Sequence, residues 1–211
     1  VKKVFALKML EHVKGDNMKK IVVGMTGATG AIFGIRLLEV LKETDVETHL
    51  VVSKWAHQTL EHETGYTLEQ LKDLADAHYG SGDMGAAVSS GSFRTDGMVI
   101  APCSIRSVAS IAQGAGDHLV HRAADVVLKE ERKLVLIARE TPLSTIHLEN
   151  LLKLSHMGVT ILPPMPAFYN HPKNLDDMVN HIVMRILDQF DVETDIVKRW
   201  TGDMKNRTPK N

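Results

Sequence analysis

The sequence predicts an α/β fold in which helices cover both faces of a central parallel sheet. Two observations predict it. Short apolar runs that are typical of buried strands alternate with amphipathic stretches that are typical of helices, and the order is strand, helix, strand, helix along the chain. The composition agrees with a globular protein, since 44% of the 211 residues are hydrophobic and 24% are charged.

Each element follows from a local pattern of apolar, turn-forming and capping residues. The predicted strands are residues 21–23, 46–53, 97–102, 133–138 and 159–164. The predicted helices are residues 35–41, 54–65, 67–76, 104–113, 118–132, 143–158 and 174–190. The segment 78–93 is rich in Gly, Ser and Ala, and we expect it to be an irregular, mobile connection.

The overall charge excludes some classes of partner. With 25 basic and 26 acidic residues the net charge is −1, so no global field favours nucleic acid or an acidic membrane surface. No apolar run is long enough to span a membrane. The single cysteine, Cys103, excludes an intrachain disulfide and fits a reducing compartment, so we expect a cytoplasmic protein.

The chain divides into one predicted domain and two flanking segments. We interpret residues 1–17 as an N-terminal extension, and the sequence leaves open whether it is native. Residues 18–200 are expected to form a single domain, and residues 201–211 a flexible polar tail. There is no internal repeat and no linker-like segment within the predicted domain.

A glycine-rich turn follows the first strand and indicates a phosphate site. The stretch GMTGATGAIFG places glycines at Gly24, Gly27, Gly30 and Gly34, just before a predicted helix. Such a turn directs backbone N–H groups and a helix N-terminus at one point, which suits an anion. Hydroxyl groups also follow later strands, and parallel strands bind ligands beyond their carboxyl ends. This edge of the sheet therefore suits a phosphorylated, oxygen-rich ligand.

A dinucleotide is disfavoured at three points. The last glycine, Gly34, comes one residue later than in the turn of extended short-chain dehydrogenases. Ser53 stands at the end of the second strand, where a charged residue would hold the adenosine ribose. The Tyr169–Lys173 pair has the Y-x-x-x-K spacing, but Pro172 lies inside it and disfavours the required helix. A mononucleotide remains.

Several separated motifs in one order resemble a known family. The stretches MTGATGAIFGIRLL, VVSKWA, SSGSF, IAPCS, ERKLVLIARETPLSTIHLENLLKLS and PPMPAFYNHP are similar to those of the UbiX-like flavin prenyltransferases, once called phenylacrylic acid decarboxylases. The resemblance covers about residues 19–200. It implies a flavodoxin- or Rossmann-like three-layer sandwich, assembled as a homododecamer with active sites at subunit interfaces.

The resemblance also implies an activity. Members of this family join a dimethylallyl group from dimethylallyl phosphate to reduced FMN, at N5 and then C6, without a metal. The prenylated FMN then serves a partner decarboxylase that acts on aromatic or phenolic acids. We therefore expect FMN, in its reduced form, as a substrate, and the decarboxylase as the recipient of the product.

Site residues carry over by position in these motifs. For FMN, the resemblance implies Gly27, Ala28, Thr29, Ser53, Ser104, Ile105, Arg106, Ser107 and Arg139. For dimethylallyl phosphate, it implies Tyr169, Arg185 and Trp200. For catalysis, it implies Glu63, Arg122, Lys129 and Glu140. Met84 departs from the pattern, since some members carry tryptophan in this loop.

The chemistry requires positive charge where the phosphate leaves. Arg122 and Lys129 are seven residues apart and so lie on one face of their predicted helix. With Arg139 and Arg185 they give four cations that we expect to meet at one end of the sheet. The proton lost at C6 has three candidate acceptors, which are Glu140, Glu63 and the released phosphate, and the sequence does not choose among them.

Other interpretations of the same residues remain. Arg122, Asp125 and Lys129 also fit a solvated helix stripe with an ion pair. The pair His118 and His121 lacks supporting cysteine or carboxylate spacing, so no metal is predicted. The alternative functions are a non-catalytic FMN-carrying subunit, a flavin-dependent cysteine decarboxylase and a direct aromatic acid decarboxylase. The cysteine decarboxylases are disfavoured because this chain has APCSIRS and PPMPAF where they carry PASANT-like and P-x-M-N motifs.

Overall fold

A computed structural model of the protein describes residues 18–202 and contains one sheet of six parallel strands. The strands are β1 Lys20–Met25, β2 Glu47–Val52, β3 Ala77–Gly80, β4 Gly97–Cys103, β5 Lys133–Ala138 and β6 Thr160–Ile161. Their spatial order is β3-β2-β1-β4-β5-β6. The chain therefore begins at the centre, moves outward to β3 and returns to the other side of β1, so the topological switch point lies between β1 and β4.

Within residues 18–202, six helices lie between these strands and a seventh follows the last strand. Short 3₁₀ turns lie at Ala87–Ser89 and Phe168–Asn170. The helices are α1 Ala31–Lys42, α2 Lys54–Thr64, α3 Leu68–Lys72, α4 Ile105–Ala112, α5 Leu119–Lys129, α6 Thr145–His156 and α7 Leu175–Asp188. No helix within residues 18–202 is long and apolar enough to cross a membrane.

The sheet separates two hydrophobic clusters. On one face the odd-numbered residues of β1, such as Val23, pack with α1, α2 and α7. On the other face Val22 belongs to a cluster formed with α4, α5 and α6. Alternate residues of each strand point to opposite faces, so nearly every strand position is apolar. The three-layer α/β sandwich predicted from the sequence is confirmed.

The structure corrects the sequence prediction at three elements. Residues 77–80, placed mostly in an irregular connection, form the edge strand β3, whose exposure alternates along four residues. The helix predicted over 67–76 ends at Lys72, because Asp76 instead accepts hydrogen bonds from the amide and hydroxyl of Thr48. The last strand contains only Thr160–Ile161. The extension 1–17 and residues 203–211 of the predicted tail lie outside the described residues.

Candidate active site

A cleft of about 660 Å³ opens at the carboxyl edge of the sheet, around the switch point between β1 and β4. Its size is that of a typical small-molecule site. The residues that line it come from strand ends and helix starts and are Thr26, Gly27, Ser53, Lys54, Trp55, Ser81, Gly82, Ser104, Arg106, Ser107, Asp117, His118 and His121.

A buried threonine holds the two central strands together at the base of the cleft. The Thr26 hydroxyl donates to the carbonyl oxygen of Pro102 at 3.1 Å and accepts from the Ser104 amide at 2.8 Å. The Thr26 amide donates to the same carbonyl oxygen at 3.1 Å. This contact fixes the start of α4 relative to the glycine turn.

Two helices begin at the cleft with serine caps. The Ser53 hydroxyl accepts from the Ala56 amide at 3.2 Å at the start of α2, and the Ser104 hydroxyl accepts from the Ser107 amide at 3.2 Å at the start of α4. A helix N-terminus carries partial positive charge and free N–H groups. With the exposed guanidinium of Arg106, these two helix starts give an environment suited to a phosphate.

The glycine turn is shaped by close packing. Gly30 has a φ of 104°, which L side chains rarely adopt. A Cβ on Gly27 would lie 2.5 Å from the Cβ of Trp55, so only glycine fits where the turn passes α2. The backbone of Gly27 therefore reaches the cleft without a side chain.

The N-terminus of α1 is already occupied by a carboxylate of the protein. Glu63 Oε2 accepts hydrogen bonds from the Gly30 and Ala31 amides at 2.8 and 3.0 Å. Partial burial acts to raise the pKa of Glu63. Hydrogen bonds from Thr29 and from these two amides, together with the charge of Arg139, outweigh burial and lower it. Within one chain, two of the amides at this helix start therefore already donate to Glu63.

Three residues at the start of α5 complete the cleft and were not predicted as site residues from the sequence. His121 is 5% exposed, and its Nε2 lies 3.1 Å from the Ser107 hydroxyl. Burial and the charge of the neighbouring His118 lower the pKa of His121 to about 4, and burial lowers that of His118. Asp117 lies beside both rings. The signal was present, because Asp117 directly precedes the histidine pair.

The structure brings five of the predicted FMN residues into the cleft, and these are Gly27, Ser53, Ser104, Arg106 and Ser107. The other four do not line it, and these are Ala28, Thr29, Ile105 and Arg139. The buried Nδ1 atoms of His118 and His121 make no hydrogen bond within residues 18–202, so polar atoms in the cleft remain available to a ligand. Caps, amides, hydroxyls and a guanidinium at one edge fit the phosphate and hydroxyl groups of FMN.

The cationic residues predicted for catalysis lie apart from one another. Arg122 donates to the Ser89 carbonyl and to Asp125 at 3.2 and 2.8 Å. Lys129 ends α5, where its ammonium lies 4.0 Å from Glu130. The length of α5 places Lys129 about 15 Å from the start of the helix at the cleft. Glu140 follows β5, and its carboxylate accepts from the Thr141 amide at 3.2 Å.

The predicted dimethylallyl phosphate residues form a separate group at the α7 side. The Tyr169 hydroxyl lies 3.1 Å from His181 Nε2, and the Tyr169 and Trp200 rings are 5.7 Å apart in an edge-to-face arrangement. Arg185 contacts Asp188 at 3.3 Å. Since α5 and α7 cover opposite faces of the sheet, one chain does not bring these residues together with the α5 cations.

Comparisons with known proteins identify the family. The Flavoprotein family pattern matches residues 9–187. A probable UbiX-like flavin prenyltransferase of Bacillus subtilis is 61% identical over 194 residues, which are 92% of this chain and 95% of that protein.

Two crystal structures agree with this similarity. A dodecameric FMN-dependent UbiX-like decarboxylase from Escherichia coli O157:H7 is 59% identical, with a TM-score of 0.85 over 87% of this chain and 100% of that chain. AnUbiX (PadA1), in complex with FMN and dimethylallyl pyrophosphate, is 50% identical, with a TM-score of 0.87 over 88% of this chain and 99% of that chain. The chain therefore belongs to the Flavoprotein family, among the UbiX-like flavin prenyltransferases.

Proposed function

We propose that this protein joins the dimethylallyl group of dimethylallyl phosphate to reduced FMN, at N5 and then at C6. One observation carries the proposal beyond flavin binding. The chain has two separate sets of groups suited to a phosphate, the cleft at the sheet edge and the cations on α5 and α7. FMN has a single phosphate, so the second set is available to a second phosphorylated ligand.

The cleft is the proposed FMN site. The helix starts at Ser53 and Ser104 and the guanidinium of Arg106 would hold the phosphate, while the backbone at Gly27 allows a close approach. Thr26 fixes these elements relative to one another before any ligand binds. A preformed arrangement of this kind reduces the entropic cost of binding.

The second phosphate site is proposed to form between chains. Arg122 and Lys129 lie on α5, whereas Arg185 and Tyr169 lie on the opposite face of the sheet. A neighbouring copy that presents its α7 face to α5 would bring the two groups together. Large apolar side chains exposed on α6, among them Ile146 and Leu152, favour such an assembly. The dodecameric Escherichia coli relative supports a homododecamer.

The residues of this chain would promote the breaking of the allylic C–O bond of dimethylallyl phosphate. Reduced FMN, when bound, supplies the nucleophilic N5 and C6 positions. As the allylic C–O bond breaks, the phosphate leaves with the bonding electrons, and Arg122, Lys129 and Arg185 would stabilise its growing charge. The aromatic rings of Tyr169 and Trp200 would face the cation-like prenyl group.

Closure at C6 releases a proton, and the proposed acceptors are Glu140 and the released phosphate. Glu63 is the weaker candidate, because its carboxylate already accepts two backbone hydrogen bonds and its pKa is lowered. A lowered pKa makes a poorer base. We further propose that the prenylated FMN passes to a partner decarboxylase for aromatic or phenolic acids, in the cytoplasm.

The mass of the flavin product tests the proposed activity. Purified protein is mixed anaerobically with reduced FMN and dimethylallyl phosphate, and the mass of the released flavin is measured. A gain of one prenyl unit is expected. Unmodified flavin, from protein that demonstrably binds FMN, would contradict the transferase and favour a non-catalytic FMN carrier. A parallel reaction with dimethylallyl pyrophosphate determines which donor is used.

A further inference from the structure

Three potential metal ligands converge at the rim of the cleft. Asp117 Oδ1 lies 3.3 Å from His121 Nδ1 and 3.9 Å from His118 Nε2. One ligand atom from each of the three residues lies within 4.8 Å of the others. Tetrahedral zinc sites have metal–ligand distances of about 2.0–2.2 Å, which place neighbouring ligand atoms about 3.3 Å apart. The Asp117–His121 separation of 3.3 Å matches that value, and the Asp117–His118 separation of 3.9 Å is longer.

The hydrogen bonding of His121 favours a cation. Its Nε2 lies 3.1 Å from the Ser107 hydroxyl, whereas its buried Nδ1 faces the Asp117 carboxylate without a hydrogen bond of acceptable geometry. In the tautomer that carries its proton on Nε2 and donates to Ser107, the lone pair of Nδ1 faces the Asp117 carboxylate, and a cation between them would be bound by both groups. Metal-bound histidines usually donate their other N–H to such an oxygen, which also orients the ring.

We propose that Asp117, His118 and His121 bind one divalent cation of the zinc class. Two imidazole nitrogens and one carboxylate oxygen are borderline ligands, which suit zinc better than magnesium or calcium. The three residues line the cleft that is the proposed FMN site, whereas the proposed prenyl transfer itself needs no metal.

One side chain must move for all three ligands to engage. The His118 and His121 rings lie face to face, with centroids 3.8 Å apart, so their lone pairs do not point at one centre. His121 is buried and held by Ser107. The His118 side chain is 24% exposed, so it is the ring that would have to rotate towards the ion. The fourth coordination position would then face the cleft, and the ion would add to the positive charge of Arg106.

Calorimetric titration with zinc tests this site. The purified full chain, in metal-free buffer at neutral pH, is titrated with ZnCl₂. We expect one ion per chain in the wild-type protein. The key variant is Asp117→Asn, because its side chain is 71% exposed and the change removes a charge without disturbing packing. We expect Asp117→Asn and His118→Ala each to weaken zinc binding by about tenfold or more.

A matched control is available elsewhere on the surface. His57 and Glu61 form an i, i+4 pair at 3.1 Å that is outside every group of three potential ligands found within residues 18–202. His57→Ala should leave the zinc affinity unchanged. Equal affinities for the wild type, Asp117→Asn and His118→Ala would overturn the proposal. So would a loss in His57→Ala as large as in Asp117→Asn. Titration with Co²⁺ adds an independent readout, since visible absorption bands are expected only when the intact site is present.

Discussion

The sequence predicts both a ligand site at the sheet edge and a group of cations that meet at one end of the sheet. The fold brings the residues of the first together and separates those of the second. The cleft contains Ser53, Ser104 and Gly27 because each lies one or two residues beyond the end of a strand in one parallel sheet. Lys129 and Arg185 are separated because their helices cover opposite faces. Topology therefore brings the first group of residues together within one chain, whereas the proposed second site would need another copy.

The difference has a simple physical origin. Parallel strands all end at the same edge, so residues after different strands become neighbours whatever their distance in sequence. A residue within a helix has no such constraint, and its position depends on where the helix packs. FMN binding in the cleft should therefore tolerate changes at chain–chain interfaces. Binding of dimethylallyl phosphate by the cations on α5 and α7 should not.

The largest expected effect concerns the cations. Lys129→Ala or Arg185→Ala should reduce prenyl transfer by about 10²–10³-fold, since each removes a charge that stabilises the leaving phosphate. FMN binding, measured by the quenching of flavin fluorescence, should remain. Loss of bound FMN in both variants would contradict the division into two sites.

Mixed assemblies sharpen the same comparison. Co-expressed Lys129→Ala and Arg185→Ala chains should recover activity, because some interfaces combine an intact Lys129 with an intact Arg185 from the neighbouring chain. Random mixing would restore about a quarter of the sites if each takes one residue from each of two chains. No recovery, in assemblies shown to contain both chains, would mean that both residues act within one chain.

The next largest effect is expected at the turn that shapes the cleft. Gly27→Ala should weaken FMN binding by about tenfold or more, or about 1.4 kcal/mol, because the new Cβ would lie 2.5 Å from the Cβ of Trp55. That atom is next to the backbone, so α2 or the turn must shift. Gly82→Ala is the control, since Gly82 also lines the cleft but a Cβ there meets nothing within 4 Å. Equal losses in both variants would argue against close packing as the cause.

Much of the fold, and the site residues that follow strands, could be predicted because parallel strands have a clear sequence pattern and end at one edge of the sheet. Buried parallel strands have nearly continuous apolar runs, so β1, β2, β4 and β5 were recognised. The edge strand β3 was not, because His78 and Gly80 are exposed and its four residues contain no apolar run. A short edge strand depends on its partner β2 for stability, and that pairing has no local signal.

The rim of the cleft was harder to predict. No strand directly precedes Asp117, His118 and His121, which come after α4. The expectation that ligands bind beyond strand ends therefore did not point to them. The role of Glu63 as a cap for α1 was also missed. Its hydrogen-bond partners, Gly30 and Ala31, are more than thirty residues away in sequence. Contacts of this kind depend on how helices pack, which the sequence pattern does not specify.

A smaller effect is expected at the base of the cleft. Thr26→Val keeps the shape of this buried side chain but leaves the half-buried Ser104 amide without its acceptor. The free energy of unfolding should fall by about 1–3 kcal/mol, which urea denaturation measures. Thr59→Val removes an exposed hydroxyl that bonds within its own helix, and should change stability by about 0.5 kcal/mol or less. Similar losses in the two variants would mean that Thr26 does not hold the strands together.

The smallest predicted effect separates the charge of Glu63 from its shape. Glu63→Gln should destabilise the protein by about 1 kcal/mol at neutral pH, because a carboxylate caps a helix N-terminus better than an amide. The pKa of Glu63 in the folded protein lies below its ordinary value of 4.5, so the unfolded chain binds more protons as the pH falls below 4.5. The contribution is therefore present above pH 4.5 and is lost as the pH falls through the lowered pKa. Urea denaturation of both proteins between pH 3 and 7 should show their stabilities converging on the acid side. A difference that stays constant with pH would mean that Glu63 acts through packing and not through its charge.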